Sequence, residues 1–148
     1  MTKKIIAFSG SSSTNSINKK LATYTASLFE NAQVEILDLN DFEMPIFSVD
    51  KEKKGFPKEA QHFLDKIEEA DLLVVSLAEH NGAYSAAFKN ILDWASRINS
   101  KIFQGKKMLL MATSPGARGG KSVLEIAKDR FPRHDANLVG TFSLPNFN

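Results

Sequence analysis

The sequence predicts an α/β fold in which an open, doubly wound sheet of five parallel strands carries helices on both faces. Three apolar runs are continuous rather than alternating, as in strands that are covered on both sides: Ile5–Phe8, Leu72–Leu77 and Met108–Ala112. Stretches of helical periodicity separate these runs. Strands that alternate with helices form parallel sheets through right-handed crossovers, which place the helices on both faces.

Two weaker runs complete the predicted sheet. The short, partly alternating run Val34–Leu37 indicates a strand nearer the edge, and Leu138–Phe142 indicates a final strand. Between the strands, apolar residues recur on single helical faces. These faces comprise Ile17, Leu21, Tyr24 and Leu28; Phe63, Ile67 and Ala70; Ala87, Ile91 and Trp94; and Val123, Ile126, Ala127 and Arg130. We expect the long connection 40–56 to cover one side of the sheet as an irregular segment.

No helix is predicted after Phe142, although a fold of this kind normally covers its last strand. We therefore expect either a shortened chain or a strand face that another subunit covers. The chain of 148 residues shows no internal repeat and no break in composition. These features predict a single domain over residues 1–148.

Composition excludes several classes of function. The chain has no cysteine, which rules out disulfides, thiolate metal sites, iron–sulfur clusters and a cysteine nucleophile. Its net charge of +2 is too small to indicate a nucleic-acid partner. The apolar runs are too short for a signal peptide or a membrane span, so we expect a soluble, cytoplasmic protein without a membrane partner.

Ligands of open parallel sheets bind beyond the carboxyl ends of the strands, so the loops that follow the central strands define the expected site. The first loop, 9–16, consists of small, mostly hydroxyl-bearing residues and leads directly into a helix. Helix N-terminal N–H groups and the helix dipole favour an anion, which makes Ser11, Ser13, Ser16 and Asn18 candidate phosphate-binding residues. The alternative is an ordinary serine N-cap with solvated lysines.

The loop after the third strand is rich in partners for a polar heterocycle. Glu79, His80 and Asn81 offer side-chain and backbone groups, and Gly82 permits close approach. His80 is either a surface histidine or a group that polarises a substrate carbonyl. Trp94, in the helix that follows, is predicted to be a core or interface residue rather than a stacking partner for a bound ring.

The loop after the fourth strand, 113–120, is rich in glycine. Ser114, Gly116 and Gly119 belong to a turn whose backbone can approach a planar ring. Arg118 is either a partner for a second phosphate or a solvated side chain.

Other phosphate-binding and metal-binding sites lack their sequence signatures here. The first loop does not close on the Gly-Lys-Ser/Thr of a nucleotide-binding P-loop, and the chain has no Gly-x-Gly-x-x-Gly dinucleotide loop. A small phosphatase would need a cysteine nucleophile. The three histidines, His62, His80 and His134, are isolated in sequence and form no metal-binding pair.

Taken together, the three loops resemble those of the NADPH-dependent FMN reductase family, over nearly the whole chain. The family's first loop, Gly-Ser-x-Arg-x-x-Ser-x-Asn, is matched by Gly10, Ser11, Ser16 and Asn18. Its second signature, Pro-Glu-Tyr-Asn-Gly followed by Lys-Asn-x-x-Asp-Trp, is matched by Glu79, Asn81, Gly82, Lys89, Asn90, Asp93 and Trp94. Its third, Ser-x-Gly-x-x-Gly-Gly, is matched by Ser114, Gly116, Gly119 and Gly120.

The resemblance implies a flavodoxin-like fold with strand order 2-1-3-4-5 and an FMN cofactor. Its phosphate would lie in the first loop and its isoalloxazine between the second and third. NADPH or NADH would be the electron donor, a quinone-like or other small molecule the acceptor, and the assembly a homodimer or a tetramer. The implied cofactor-binding residues are Ser11, Ser13, Ser16, Asn18, Glu79, His80, Asn81, Gly82, Ser114, Gly116 and Gly119. The flavin supplies the chemistry, so no catalytic side chain is predicted.

Two departures from the family pattern affect this expectation. Ser13 stands where the arginine is usual, which removes a charge-assisted phosphate contact of about 1.5–3 kcal/mol. Lys19, Lys20 or a partner subunit would then supply the charge. His80 stands where tyrosine is usual and changes the wall beside the ring. Two alternative functions stay open: a flavodoxin-like electron carrier, although such carriers are generally acidic, and a flavin-free structural or regulatory relative.

Overall fold

The computed structural model describes residues 2–148 and contains a sheet of five parallel strands in the order β2-β1-β3-β4-β5. The strands are β1 (Lys3–Ser9), β2 (Ala32–Ile36), β3 (Leu72–Leu77), β4 (Lys107–Thr113) and β5 (Asn137–Leu144). The doubly wound fold and the predicted strand order are confirmed. The sheet edges are β2 and β5, and β2 begins two residues earlier than the sequence predicts.

Helices cover the two faces of the sheet unequally. They are α1 (Ile17–Ser27), α2 (Val49–Lys53), α3 (Lys58–Glu68), α4 (Ala86–Ile98) and α5 (Lys121–Arg130). Alternate residues of β1 point to opposite faces, so Ile6 and Phe8 join the larger core beneath α3, α4 and α5. Ile5 and Ala7 join a smaller core beneath α1.

The apolar face of α1 differs from the predicted one. Tyr24 and Leu28 are 64% and 61% exposed, and Leu28 lies just beyond the end of the helix. The helix packs on the sheet mainly through Leu21, Ala22 and Ala26. The small side chains of Ala22 and Ala26 let the helix lie close to the strands. The spacing of the large apolar residues in the sequence does not indicate that the helix packs through alanines.

The apolar face of α5 is also rotated relative to the prediction. Val123 and Ala127 are buried as expected, but Ile126 and Arg130 are exposed and Leu124 is buried instead. In α4, Ile91 and Trp94 are buried as predicted, whereas Ala87 is only half-buried.

An apolar groove of about 620 Å³ lies beside α1, over β4 and β5. It includes Leu109, Met111 and Phe142, and Phe142 is 49% exposed. Among residues 2–148, α1 is the only helix that contributes buried residues to the smaller core on this face of the sheet. No helix of the described residues therefore covers the outer part of the face, over β5.

The connection 40–56 is more ordered than predicted. A 3-10 turn spans Leu39–Phe42 and the short helix α2 follows it. Such short helices leave too few turns for a periodic signal in the sequence.

Side chains of α4 clamp this connection. The Asn90 Oδ1 atom accepts from the Phe47 N–H at 2.9 Å, and its Nδ2 donates to the Met44 and Pro45 carbonyls, each at 3.1 Å. The Trp94 Nε1 atom donates to the same Pro45 carbonyl at 2.7 Å. Trp94 is 1% exposed, which confirms its predicted place in the core.

Phe131 holds together the aromatic part of the larger core. Its ring lies 4.8 Å from Phe103 and 6.1 Å from both Tyr84 and Phe88, measured between centroids. Tyr84 lies two residues before the start of α4, and Phe131 directly follows α5. The cluster therefore links the N-terminus of α4 to the C-terminus of α5.

Truncation of this ring is expected to cost far more stability than truncation of an exposed one. Phe131→Ala removes a fully buried ring and lowers the free energy of unfolding by about 3–5 kcal/mol. Phe142→Ala makes the same change at a half-exposed position and costs less than half as much. Urea denaturation of both variants measures the difference, and equal losses would contradict the assignment of Phe131 to the core.

Candidate functional site

The first loop, 9–16, here called the serine loop, folds tightly over the end of β1. The Gly10 N–H donates to the Ser76 carbonyl at 2.8 Å, which continues the pairing of β1 with β3. The Ser11 Oγ atom accepts from the Ser13 N–H at 3.1 Å, and Ser11 is buried while Ser13 is exposed. The loop therefore presents Ser13 outward on a turn that Ser11 holds.

Ser16 is the N-cap of α1. Its Oγ atom accepts from the Lys19 N–H at 3.1 Å, so the ordinary serine N-cap is present. The Ser16 hydroxyl donates to the Ser9 Oγ atom at 3.5 Å, a long bond that a stronger acceptor can replace, and the first N–H groups of α1 stay available for a ligand. An N-cap and an anion site are therefore compatible at this helix end.

Asn18 lies behind the loop and is 3% exposed. Its Oδ1 accepts from the Ser76 hydroxyl at 2.7 Å and from the Thr113 N–H at 3.0 Å. Its Nδ2 donates to the Thr113 carbonyl at 3.2 Å. The side chain thus ties the start of α1 to β3 and to the end of β4.

The second loop forms a two-residue hairpin. His80 and Ala83 exchange backbone hydrogen bonds of 2.9 and 3.1 Å, and the residues between them, Asn81 and Gly82, have φ angles of 53° and 78°. Positive φ at both central positions is the pattern of a type I′ turn, for which Asn-Gly is the preferred sequence. The Asn-Gly dipeptide is therefore a turn signal in the sequence, in addition to the ligand contact that the family resemblance implies.

Glu79 connects the second loop to the third. Its Oε1 atom accepts from the Val123 N–H in the first turn of α5 at 2.7 Å. The N-cap residue of α5 is Gly120, which has no side chain to accept this bond. Glu79 therefore caps α5 from across the site, where its negative charge also faces the positive end of the helix dipole.

Ser85 and Tyr84 anchor the base of the second loop. The Ser85 hydroxyl donates to the Gly10 carbonyl at 2.7 Å and accepts from the Phe88 N–H as the N-cap of α4. The Tyr84 ring stacks on Phe131, and its hydroxyl is buried without a hydrogen-bond partner among residues 2–148. Burial raises the pKa of Tyr84 to about 12.

The glycines of the third loop differ in what they require. Gly119 has a φ of +59°, and a Cβ there would lie 2.6 Å from the Ser143 hydroxyl and 2.8 Å from the Pro145 nitrogen. Gly116 is exposed with open space around it. Gly119 is therefore fixed by packing against the end of β5 and Pro145, and Gly116 carries no such constraint.

Hydrogen bonds within the third loop, to α5 and to the segment after β5 also hold the loop in place. The Ser114 hydroxyl donates to the Gly116 carbonyl at 3.3 Å, and the Arg118 guanidinium donates to the Ser122 hydroxyl at 2.9 Å. The Ser114 carbonyl also accepts from the Phe147 N–H at 3.0 Å. Arg118 is exposed and points along α5, as in the solvated interpretation.

The three loops enclose a cleft of about 250 Å³ at the carboxyl edge of the sheet. Predicted residues in its wall are Ser11, Ser13, Ser16, Asn18, Glu79, His80 and Ser114. Predicted residues outside its wall are Asn81, Gly82, Gly116 and Gly119. Wall residues absent from the prediction are Asn15, Ile17, Ala78, Thr113 and Pro115, which flank the predicted ones in the same loops.

The cleft wall contains no lysine or arginine among the residues that the structure describes. The Lys19 ammonium lies 3.5 Å from the Asp38 carboxylate instead. The Asn40 N–H and the Lys19 charge hold the pKa of Asp38 below its usual range. Lys20 lines the apolar groove on α1. An anion in this cleft would therefore meet neutral donors and the α1 dipole, together with the Glu79 carboxylate, which accepts from the Val123 N–H.

Two further features bear on the class of site. Within residues 2–148, no cluster of His, Cys, Asp and Glu side chains is arranged to hold a metal ion. Over the same residues, no helix combines the length and apolar character needed to cross a membrane.

The strand order, the helices on both faces and the hydroxyl-rich loop at a helix N-terminus define a flavodoxin-like α/β protein. The sequence profile of the NADPH-dependent FMN reductase family matches residues 3–148, so the chain belongs to that family. The family is one of NAD(P)H-dependent oxidoreductases that use FMN, and the predicted family, enzyme class and cofactor are confirmed at that level.

Individual relatives support the assignment. A 2-hydroxy-1,4-benzoquinone reductase of a Burkholderia species is 35% identical over 121 residues, which cover 80% of this chain and 64% of that protein. An NAD(P)H-dependent FMN reductase of Pseudomonas aeruginosa is 29% identical over 117 residues, 78% of this chain and 62% of its own. The chain thus spans less than two thirds of either relative.

A solved structure extends the similarity to the fold. FerB, a flavoenzyme NAD(P)H:(acceptor) oxidoreductase from Paracoccus denitrificans, superposes with a TM-score of 0.77 at 25% identity. The superposition covers 93% of this chain and 75% of FerB.

A matched pair of glycine variants tests whether packing constrains Gly119 more than Gly116 in the third loop. Gly119→Ala places a Cβ against residues 143–145 at a positive φ and lowers the free energy of unfolding by about 1–3 kcal/mol. Gly116→Ala changes it by less than about 0.5 kcal/mol. Thermal or urea unfolding without flavin measures both, and an unchanged stability of Gly119→Ala would contradict the packing constraint.

Proposed function

We propose that this chain is an NAD(P)H-dependent FMN oxidoreductase that passes electrons from the reduced flavin to a quinone-like or other small acceptor. The observation that carries the proposal is the cleft, in which a hydroxyl-rich helix N-terminus meets two further loops at the carboxyl edge of the sheet. Membership of the family and the activities named for its relatives support it.

The residues present fit FMN at its phosphate end. The hydroxyls of Ser11, Ser13 and Ser16 line the cleft and, together with the first N–H groups of α1, are neutral donors for a phosphate. We assign the phosphate to this part of the cleft. Asn18 contributes from behind the loop through its buried amide.

The flavin ring is assigned to the space between the second and third loops. Its proposed neighbours are Glu79, His80, Asn81, Gly82, Ser114, Gly116 and Gly119. A cleft of about 250 Å³ is smaller than the pockets of about 300–1,000 Å³ that enclose whole ligands. It therefore suits the phosphate end and leaves the ring side open, where a nicotinamide donor and a small acceptor need access.

Bound FMN supplies the hydride and electron chemistry, so the protein needs no acid–base side chain for it. The role of the chain is to bind and orient. Glu79 fixes the second loop against α5, and exposed His80 borders the open side, where it contributes to the choice of acceptor. Backbone N–H groups of the second and third loops are the proposed donors to the reduced ring.

We further propose a cytoplasmic, single-domain protein that forms a homodimer or a tetramer and has neither nucleic acid nor membrane as a partner. The resemblance to the family supports the oligomer. Exposed apolar side chains, among them Tyr24, Ile46 and Phe142, provide surface for it. The net charge of +2 argues against nucleic acid.

One observation favours a second candidate, a relative that has lost flavin and serves as a structural or regulatory module. The cleft wall has no lysine or arginine among the described residues, and Ser13 lies at its mouth. Flavin content and an FMN titration separate this candidate from the enzyme. The electron-carrier alternative is disfavoured by the slightly basic net charge.

Anaerobic reduction tests the proposed enzyme. The FMN-loaded protein mixed with excess NADPH, and in parallel NADH, is expected to lose its flavin absorbance within seconds to minutes. Free FMN in the same buffer gives the background rate. Oxidised flavin that persists with both nicotinamides would rule out the reductase, and a protein that never binds FMN would support the flavin-free candidate.

An arginine at position 13 is expected to strengthen FMN binding selectively. Ser13 is exposed and lines the cleft, so Ser13→Arg adds a charge-assisted phosphate contact of about 1.5–3 kcal/mol, or roughly a ten- to hundredfold lower Kd. Riboflavin, which lacks the phosphate, should show no such gain.

Ser12→Arg is the matched control for this variant. It adds the same charge at an exposed residue outside the cleft wall. Fluorescence titration of each variant with both flavins gives the Kd values. An equal gain for riboflavin, or for Ser12→Arg, would contradict the assignment of the phosphate to this loop.

A further inference from the structure

We propose that Asn18 is a positioning residue that acts on the cleft through Thr113, and that Ser76 of β3 orients Asn18 for this task. The inference rests on the proposed function of the cleft as an FMN site. It replaces a direct flavin contact, which the loop motif alone implied for Asn18, with an indirect one. It also adds Ser76, which lies outside the cleft wall.

Asn18 has little capacity left for a ligand. Both acceptor sites of its Oδ1 are occupied, by the Ser76 hydroxyl at 2.7 Å and by the Thr113 N–H at 3.0 Å. One of its two amide hydrogens is donated to the Thr113 carbonyl at 3.2 Å. A flavin phosphate would therefore find at most one donor on a side chain that is almost wholly buried.

The backbone N–H and C=O of Thr113 need the Asn18 amide because β3 no longer pairs with β4 at this residue. The last pair of the β3–β4 ladder joins Leu77 to Ala112, one residue earlier. On the other side, Thr113 is still paired with Leu144 of β5. The Asn18 amide presents one acceptor and one donor, as a strand neighbour would, and satisfies both backbone groups of Thr113.

The position of Thr113 matters because the next two residues form a wall of the cleft. Ser114 and Pro115 follow it directly and face the serine loop across about 250 Å³ of space. Asn18 is itself in the first turn of α1, two residues after the N-cap Ser16. The amide therefore sets the distance between the first loop and the third loop.

Ser76 is otherwise unexplained. It is a fully buried hydroxyl residue in the apolar strand β3, and its hydroxyl makes one hydrogen bond among the described residues, to Asn18. A buried hydroxyl without a partner is costly, so a serine at this position is consistent with a requirement for Asn18 to be held. Its effect on flavin must pass through Asn18 because Ser76 does not reach the cleft.

A double-mutant cycle tests the chain of contacts. Ser76→Ala, Asn18→Ala and the double variant are prepared, and the Kd for FMN is measured by fluorescence titration. We expect Ser76→Ala to weaken FMN binding about three- to tenfold and Asn18→Ala to weaken it tenfold or more. In the Asn18→Ala background, Ser76→Ala should have no further effect on the Kd.

Thr25→Val is the matched control. The Thr25 hydroxyl also joins α1 to β4, by donating to the Met111 sulfur at 3.5 Å, but at the far end of the helix from the cleft. Its loss should change the free energy of unfolding without changing the Kd for FMN. If Asn18→Ala fails to fold, the comparison of Ser76→Ala with Thr25→Val decides alone.

Three results would overturn the inference. If Asn18→Ala weakens FMN binding and Ser76→Ala does not, Asn18 contacts the flavin directly. If Ser76→Ala and Thr25→Val shift the Kd equally, the effect is a general loss of stability. Additive effects in the cycle would also exclude action through Asn18. These outcomes presuppose a wild-type protein that binds FMN; the absence of binding would overturn the proposed function and this inference together.

Discussion

All strands of a parallel sheet end at the same edge. Beyond that edge, backbone N–H and C=O groups lose the hydrogen-bond partners that a neighbouring strand supplies. The organisation of this protein follows from that constraint. Thr113 is satisfied by the Asn18 amide, and the first turn of α5, which follows β4, is satisfied by Glu79. The same edge is where a ligand can use whatever donors stay unpaired. Structure and binding therefore compete for one set of groups.

Many residues of the family motif serve the structure of the loops rather than ligand binding. Asn90 and Trp94 hold the connection 44–47, Gly119 makes room for the end of β5 and Pro145, and Asn81 with Gly82 forms the hairpin turn. Few of these groups are left free to touch a flavin. The hydroxyls and N–H groups of the first loop are the exception, since their caps and turns leave donors available. The phosphate end is consequently the best-defined part of the candidate site.

Sequence patterns predicted what depends on local order. The buried strands follow from continuous apolar runs, and the site loops follow from their position after β1, β3 and β4. Helix phase was predicted less well: α1 packs through alanines, and Tyr24 lies in the exposed surface. The bonds that set the cleft could not be predicted, because Asn18 and Thr113 are separated by 95 positions and Glu79 and Val123 by 44. Only the folded sheet brings such pairs together.

A crystal structure of the FMN complex would locate the phosphate. We expect the phosphate within hydrogen-bonding distance of the Ser11, Ser13 and Ser16 hydroxyls and the first N–H groups of α1, with the ring between the second and third loops. We also expect the Asn18 amide to keep its bonds to Thr113. A phosphate bound elsewhere, or an Asn18 side chain that leaves Thr113 to contact the flavin, would contradict these assignments.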